Sequence, residues 1–431
     1  MEIEQTKKQD QSDEFVGEKF VHDSSLDYKG RTPLRASTGA WKASFFVIGN
    51  EFSERLSYYA LAMTLMIYLT KVIHQDLKTA AKSVNYWMGV TTLMPLLGGF
   101  IADAYLGRFW TVLASSTIYL LGLSLLTMSR VIPSLKPCGS TGTCLEPRKI
   151  HEILFFLAIY LVAIGTGGHK PSLESFGGDQ FDDDHPEERR KKMSFFNWWS
   201  SGLCAALLLS VTVIVYIQEH LSYAAGDITV TGSMAFTVVL FWIGRPFYRF
   251  REPTGSPLTP LLQVLVAAVA KRNLPYPSET DRLYEVSKSG KSQGRLLFHT
   301  NRFKFLDKAS IIEEEGGENR NPWRLATVTK VEEMKLIINM IPIWLTTIQF
   351  NVCVAQTSTF FIKQSMTLNR KITHDFTIPP ASMNALIAVG MIITVVIYDK
   401  ALEPFLRKIT GKERGIKISS NESGSECFSQ F

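Results

Sequence analysis

Apolar runs of about 20 residues, set apart by polar links, leave this chain few folds to choose from. Such runs lie at about 41–70, 84–104, 110–132, 150–175, 194–217, 228–248, 333–362 and 381–399. About 20 residues of helix cross the ~30 Å hydrocarbon core, and inside lipid the backbone must satisfy its own hydrogen bonds. Bulk composition hides the pattern. With 46% hydrophobic and 20% charged residues over 431 positions, the chain has the average of a soluble protein of two or three domains. The distribution is what matters. Polar residues gather in 1–40, in about 249–330 and from 400 onward. The expectation is an all-α membrane protein. It has a disordered cytoplasmic arm (1–40), a six-helix half (41–248), a cytoplasmic linker (249–330), two further spans (331–399) and a basic tail (400–431).

The net charge of +6 would suit a nucleic-acid binder, but the basic residues flank the apolar runs as they do in cytoplasmic loops. With the N-terminus inside, Arg108, the block Arg189–Lys192, the linker and the tail all fall on the cytoplasmic side. Lys71, Lys78, Lys82, Lys136, Arg148 and Lys149 fall on the other, so the bias is real but incomplete. Residues 1–40 carry no short apolar region before a cleavage site, so the first span is expected to direct insertion. Five cysteines are too few and scattered for a disulfide scaffold. Cys138 and Cys144 share one polar loop and fit a disulfide or a reduced pair equally well, while Cys204 and Cys353 read as packing residues.

The first span holds Asn50-Glu51-Phe52-Ser53-Glu54-Arg55-Leu56-Ser57-Tyr58-Tyr59. On a helix Glu51, Glu54 and Arg55 stand at i, i+3 and i+4 and share a face. Charge at membrane depth is expensive, which points to an ion, proton or substrate pathway; the alternative is a structural ion-pair cluster locking helices together. The block Asp182–Lys192 is acidic and then basic and reads as a solvated interfacial loop. Its contiguous carboxylates lack the spacing of a metal cage. Pro260–Ala270 is amphipathic enough to lie on the membrane surface.

Between the second and third runs stands Gly98-Gly99-Phe100-Ile101-Ala102-Asp103-Ala104-Tyr105-Leu106-Gly107-Arg108. It resembles the loop motif of the major facilitator superfamily, which implies a gating and structural role for Asp103, Gly107 and Arg108. The resemblance narrows with four companions: Glu51-x-x-Glu54-Arg55, Gly165-Thr166-Gly167-Gly168-His169-Lys170-Pro171, Phe176-Gly177-Gly178-Asp179-Gln180-Phe181-Asp182 and Phe195-Phe196-Asn197-Trp198-Trp199. Together they are similar to the proton-coupled oligopeptide transporter family. The arm Asp27-Tyr28-Lys29-Gly30-Arg31 resembles that family's plant branch of nitrate and peptide transporters.

The resemblance implies a proton-driven symporter of a small solute such as nitrate, a di- or tripeptide or another plant metabolite, and not an enzyme. It implies the proton gradient in place of a cofactor, no metal, no nucleic-acid partner, and the plasma or vacuolar membrane. Glu51, Glu54, Arg55 and Lys170 become proton-coupling residues. Arg55, Tyr58, Tyr59, Lys170 and Gln356 become substrate-binding residues, although Lys170 also reads as a lysine snorkelling from a helix end. His169 stands where the family is usually apolar, as a lining residue or a pH-sensitive imidazole. Gln349, Asn351, Thr357 and Thr359 accompany Gln356 in the seventh run, which lacks the acidic residue common in peptide transporters.

The family has twelve spans, and eight are expected here. A shifted reading frame from about residue 419 would account for the tail, because codons compatible with Glu422–Phe431 also encode an apolar stretch. The alternative function is a truncated product, inert or acting with full-length partners.

Overall fold

The computed structural model describes residues 19–21, 23–137, 147–253, 255–256, 258–275, 283–285, 297–312, 321–373, 377–386, 390 and 405. Among these there is no β-strand, only isolated bridges. The chain divides into two compact units, Met1–Gly255 with Ala355–Met391, and Ser256–Val354 with Ile392–Phe431.

In the first unit the helices are α1 (Ala40–Lys71), α2 (Leu77–Ile101), α3 (Arg108–Val131), α4 (Lys149–Gly178), α5 (Pro186–His220, through a π turn at Ser210–Ile214) and α6 (Tyr223–Ile243). Six helices of the described chain, α2 to α6 and Val328–Ser365, are long and apolar enough to cross a membrane. At 32 residues α1 has the length as well, but carries Glu51, Glu54 and Arg55 at its centre. The expected eighth span lies mostly outside the described residues, as do Cys138, Cys144 and nearly all of the tail.

Two helix starts correct the expected spans. The Asp76 side chain accepts a hydrogen bond from the Thr79 backbone N–H at 3.1 Å, so α2 begins at Leu77 inside what reads as a polar linker. Pro186 stands in the first turn of α5, followed by Glu187 and Glu188. These residues favour a helix start and draw the expected loop into the helix.

The close packing of α4 positions the site. A Cβ at Gly167 would lie 2.4 Å from the Met94 Cβ, and one at Gly98 would lie 2.2 Å from the Gly167 carbonyl oxygen. With hydrogen in their place, the α2 and α4 backbones approach to near contact. Below the site, Phe109, Phe176, Phe181, Phe195, Trp199, Phe241 and Tyr248 form a buried aromatic cluster that takes up two of the sequence motifs. Trp198, from the same run, is exposed.

Residues 19–39 are not a loose arm. Leu26 and Phe250 exchange backbone hydrogen bonds at 2.8 Å, and Asp27 closes a turn through the backbone N–H groups of Lys29 and Arg31. Enough polar partners on the bundle offset the entropy of ordering the segment.

In the second unit α7 (Leu258–Ala270) buries Val264, Ala267 and Ala268 against Leu306, Ala309, Ala326 and Val331. One face of α7 therefore packs on the linker, while Leu258, Leu262, Val266 and Val269 leave a second apolar row exposed. α8 (Val328–Ala355) sets Lys335 between Asp307 at 2.6 Å and Glu332 at 2.7 Å, and is exposed from Met340 to Val354. Cys353 on α8 and Cys204 on α5 are both exposed, against the expectation that they fill the core.

Candidate functional site

The helical phase of α1 brings Glu51, Glu54 and Arg55 onto one buried face, at 4%, 0% and 5% exposure. Arg55 Nε stands 2.6 Å from Glu54 Oε2 and 3.0 Å from Glu51 Oε1. Its N–H is aligned with neither, so the attraction is one of charge and not of directed hydrogen bonds. The Thr166 hydroxyl donates to Glu54 Oε1 at 3.1 Å, and the Tyr119 hydroxyl donates to the Glu54 carbonyl oxygen at 3.2 Å. Thus α3 and α4 fix Glu54, and Glu51 is held less tightly.

His169 completes the cluster from α4. It is fully buried, and its Nδ1 lies 3.7 Å from Glu51 Oε2. Ligating atoms of Glu51, Glu54 and His169 all lie within 4.8 Å of one another, a spacing that would suit a cation. The Arg55 guanidinium already supplies that positive charge between the two carboxylates. The arrangement is a set of exchangeable charge pairs: a proton and the arginine can compete for the two carboxylates, and an anion would compete with those carboxylates for the arginine.

Among the other predicted residues, Tyr58 and Tyr59 follow on α1, half-buried, with ring centres 5.5 Å apart. The Arg55 guanidinium carbon lies 5.3 Å from the Tyr58 ring centre, so this tyrosine adjoins the cluster. Lys170 is exposed beside the buried His169 and makes no ion pair within 4 Å among the described residues. Gln356 is half-buried on a short turn, Gln356–Ser358, whose Ser358 hydroxyl contacts the Met88 sulfur at 2.9 Å. Gln349 and Asn351 are exposed on α8, whereas Thr359 is buried. Asp103, Gly107 and Arg108 do meet. Gly107 turns the chain at φ 76, and Arg108 bonds Asp103 at 3.2 Å and Asp179 at 2.6 Å. Burial pushes the Asp179 carboxyl up from its ordinary range, against the opposing pull of Arg108 and Arg251.

Two charge networks escaped the sequence reading. At the predicted cytoplasmic end, Glu188 receives both terminal nitrogens of Arg249, at 2.6 and 3.2 Å, Arg35 at 2.8 Å and the Asp182 backbone N–H at 2.8 Å. Arg35 also bonds Asp182 at 2.8 Å. The block read as a solvated loop therefore contributes buried acceptors, because the arm and Arg249 bring guanidinium groups to it. Toward the opposite end, Arg130 pairs with Asp227 at 2.6 Å and lies 4.1 Å from the Tyr68 ring centre. The Tyr68 hydroxyl bonds His151 Nε2 at 2.8 Å. The available signal was a charge near the end of the third span and another at the start of the sixth.

Comparison with known proteins agrees with this architecture. The POT family profile matches residues 109–420. Protein NRT1/PTR FAMILY 5.6 of Arabidopsis thaliana is 60% identical over 415 residues, covering 96% of this chain and 72% of the relative. Protein NRT1/PTR FAMILY 5.7, from the same plant, is 58% identical over 431 residues, covering 99% and 71%. The solved structure of the POT family transporter PepTSo aligns over 88% of this chain and 71% of its own at a TM-score of 0.63, with 18% identity. An auto-inhibited POT family peptide transporter aligns over 85% and 70% at a TM-score of 0.60, also with 18% identity. At that identity the structural likeness speaks for the fold, and the curated relatives carry the assignment. This chain is a multi-pass membrane protein and belongs to the POT family of transporters, alongside the plant NRT1/PTR proteins.

Proposed function

We propose that the chain is a proton-coupled symporter of a small solute, nitrate or a short peptide, with Glu51, Glu54 and Arg55 as the coupling residues. The observation that carries this is one guanidinium shared by two buried carboxylates at 2.6 and 3.0 Å without a directed hydrogen bond to either. Adding a proton to one carboxylate removes a counter-charge from Arg55, which then favours an anionic group of the solute. Loss of the proton reverses the preference. Binding of proton and solute are thereby linked, and the linkage is reciprocal.

Arg55 and Tyr58 adjoin the cluster and suit the solute's charged and flat groups. Tyr59 lies beside Tyr58, and Lys170 offers a second cation on the exposed side of α4. Gln356 keeps its proposed role as a polar lining residue. Asp103, Gly107 and Arg108 are proposed as the gating turn, because Arg108 bridges α3 to Asp179 at the foot of α4. The alternative of an inert product is not favoured by the family match.

Uptake into proteoliposomes tests the reading. Labelled nitrate and a labelled dipeptide are offered with an acidic exterior and, separately, with equal pH on both sides. The expected result is accumulation of one of them above empty liposomes only when protons flow inward. Uptake equal to that of empty liposomes for both solutes, or uptake indifferent to the gradient, would contradict it.

A further inference from the structure

His169 is a buried ionisable group that the coupling scheme above leaves idle. It is 0% exposed, and among the described residues neither Nδ1 nor Nε2 has a hydrogen-bond partner. Buried polar atoms are almost always paired, so an imidazole with both nitrogens open calls for an explanation. The ring cannot easily swing away to find partners. Gly167 and Gly168, the two residues before it, press α4 against Met94 of α2 and Ser115 of α3.

Directly before this ring, Glu51 Oε2 is also buried and without a hydrogen bond. The two open atoms face each other at 3.7 Å, just beyond bonding reach. Glu51 Oε1, its other oxygen, is turned to Arg55 at 3.0 Å. The same carboxylate thus stands between a permanent cation and a group that becomes a cation on taking up one proton.

We propose that His169 is a second proton-holding residue of the coupling site, binding a proton at Nδ1 and pairing as imidazolium with Glu51 Oε2. One N–H bond forms, from the Nδ1 lone pair and the incoming proton, and no bond within the protein breaks. One proton enters, the formal charge of the cluster rises by one, and Glu51 divides its attraction between two cations. Arg55, left mainly to Glu54, can then turn its unpartnered Nη2 toward an anionic solute. When solute and proton leave, Glu51 returns to Arg55.

The other groups facing the ring are few, since α4 packs on α1, α2 and α3. From α1 come Glu51, Glu54 and Arg55, while Tyr59 and, from α3, Tyr119 adjoin those same groups. α4 itself adds Lys170 and Glu174. α2 meets this stretch through Met94 and Gly98, and no residue from Thr91 to Ile101 is ionisable. Burial and then the Arg55 charge oppose a cation on the ring, and the facing carboxylates favour one.

The assignment rests on the proton-coupled reading, and the test separates the two. Uptake driven by a proton gradient, and solute exchange without one, are measured in proteoliposomes from about pH 5.5 to 7.5 for the full chain and for His169→Gln. A single titrating site changes its occupancy by at most about tenfold per pH unit, so a ratio of acidic to neutral uptake lowered by about threefold or more is readable. The expected result is that drop in His169→Gln, with solute exchange without a gradient lowered by a smaller factor than gradient-driven uptake.

A superimposable pH profile in His169→Gln overturns the proposal alone. So does an equal loss of uptake and exchange at every pH, which is what a packing role gives. If glutamine prevents assembly, His169→Asn gives the same ratio; failure of both variants to assemble marks the residue as structural and also overturns it. Uptake by the unaltered chain that ignores the gradient overturns the coupling reading, and this inference with it.

Discussion

At the basic end of the bundle Arg249 puts both terminal nitrogens on Glu188, which also receives Arg35 and a backbone N–H. Toward the middle of α1, Arg55 stands 2.6 Å from Glu54 and 3.0 Å from Glu51, yet its Nε and Nη2 make no directed bond among the described residues, and Glu51 Oε2, Glu54 Oε2 and both nitrogens of His169 are open as well. Residue types and burial are alike in the two places. The difference is in the carboxylates: Glu188 accepts four directed hydrogen bonds, although Nε of Arg249 and of Arg35 are open there too, whereas Glu51 Oε2 and Glu54 Oε2 accept none among the described residues. A carboxylate saturated in this way fixes one arrangement, whereas carboxylates held by charge alone can exchange partners at little cost. The first site reads as a fastening and the second as the working part.

The largest test of this contrast acts on the fastening. Glu188→Ala leaves Arg249, which is 0% exposed, without its counter-charge, and breaking a buried pair this way costs about 3–5 kcal/mol. Thermal unfolding in detergent should show a loss of that size. Glu54→Gln, which leaves Arg55 beside Glu51, should stay within about 1 kcal/mol of the unaltered chain. Equal losses would erase the distinction.

Next comes the packing that holds α4 in place. Gly167→Ala puts a Cβ 2.4 Å from the Met94 Cβ and 2.9 Å from the Met94 backbone carbon. Overpacking of this kind costs about 1–3 kcal/mol. Because it also pushes α4 from α2, solute exchange should fall alongside stability, whereas Glu188→Ala should spare the exchange rate of whatever protein remains folded.

Arg108→Ala is expected to act more weakly on stability. Arg108 is 32% exposed and its partner Asp103 39%, while its buried partner Asp179 keeps Arg251 at 3.6 Å, so solvent screens part of the attraction and the loss should be about 1 kcal/mol, shrinking with added salt. Parallel melts at low and high salt would show it. An effect untouched by salt would place Arg108 with the saturated network instead.

The smallest effect concerns the arm. Burial pushes the Asp27 carboxyl up, but the backbone N–H groups of Arg31 and Lys29 and the Arg31 guanidinium outweigh it, so its pKa lies below the ordinary carboxylate value. A depressed folded-state pKa stabilises at pH above the unfolded value of about 3.9 and is lost as pH falls through the folded one. Protease cleavage near residues 19–35 should therefore accelerate only below about pH 4. In Asp27→Asn, neutral-pH cleavage should already be faster, by no more than a few-fold given the modest strength of a turn bond.

Much of this was legible in the sequence. Spacing of i, i+3 and i+4 placed Glu51, Glu54 and Arg55 together before any coordinates, and the Asp103–Arg108 turn announced itself between two apolar runs. What escaped depends on distant pairs. Arg35 meets Glu188 across 153 positions and Arg249 meets it across 61, so a segment polar enough to read as disordered proved to be fastened. The helix start at Leu77 was hidden because its Asp76 cap sits in a polar run, and that at Pro186 because an acidic first turn favours a helix N-terminus as readily as a loop. His169 was visible as a residue, but not the fact that both its nitrogens are open, because that depends on what α1, α2 and α3 fail to offer it.

The central claim is that the loosely held cluster couples protons to solute while the saturated one only holds the fold. Glu54→Gln in proteoliposomes addresses it most directly, with gradient-driven accumulation and gradient-free exchange read from the same preparation. The account predicts that exchange continues while accumulation drops by about tenfold or more, the scale of losing one well-placed proton carrier. A Glu54→Gln protein that accumulates solute as well as the unaltered chain would contradict it.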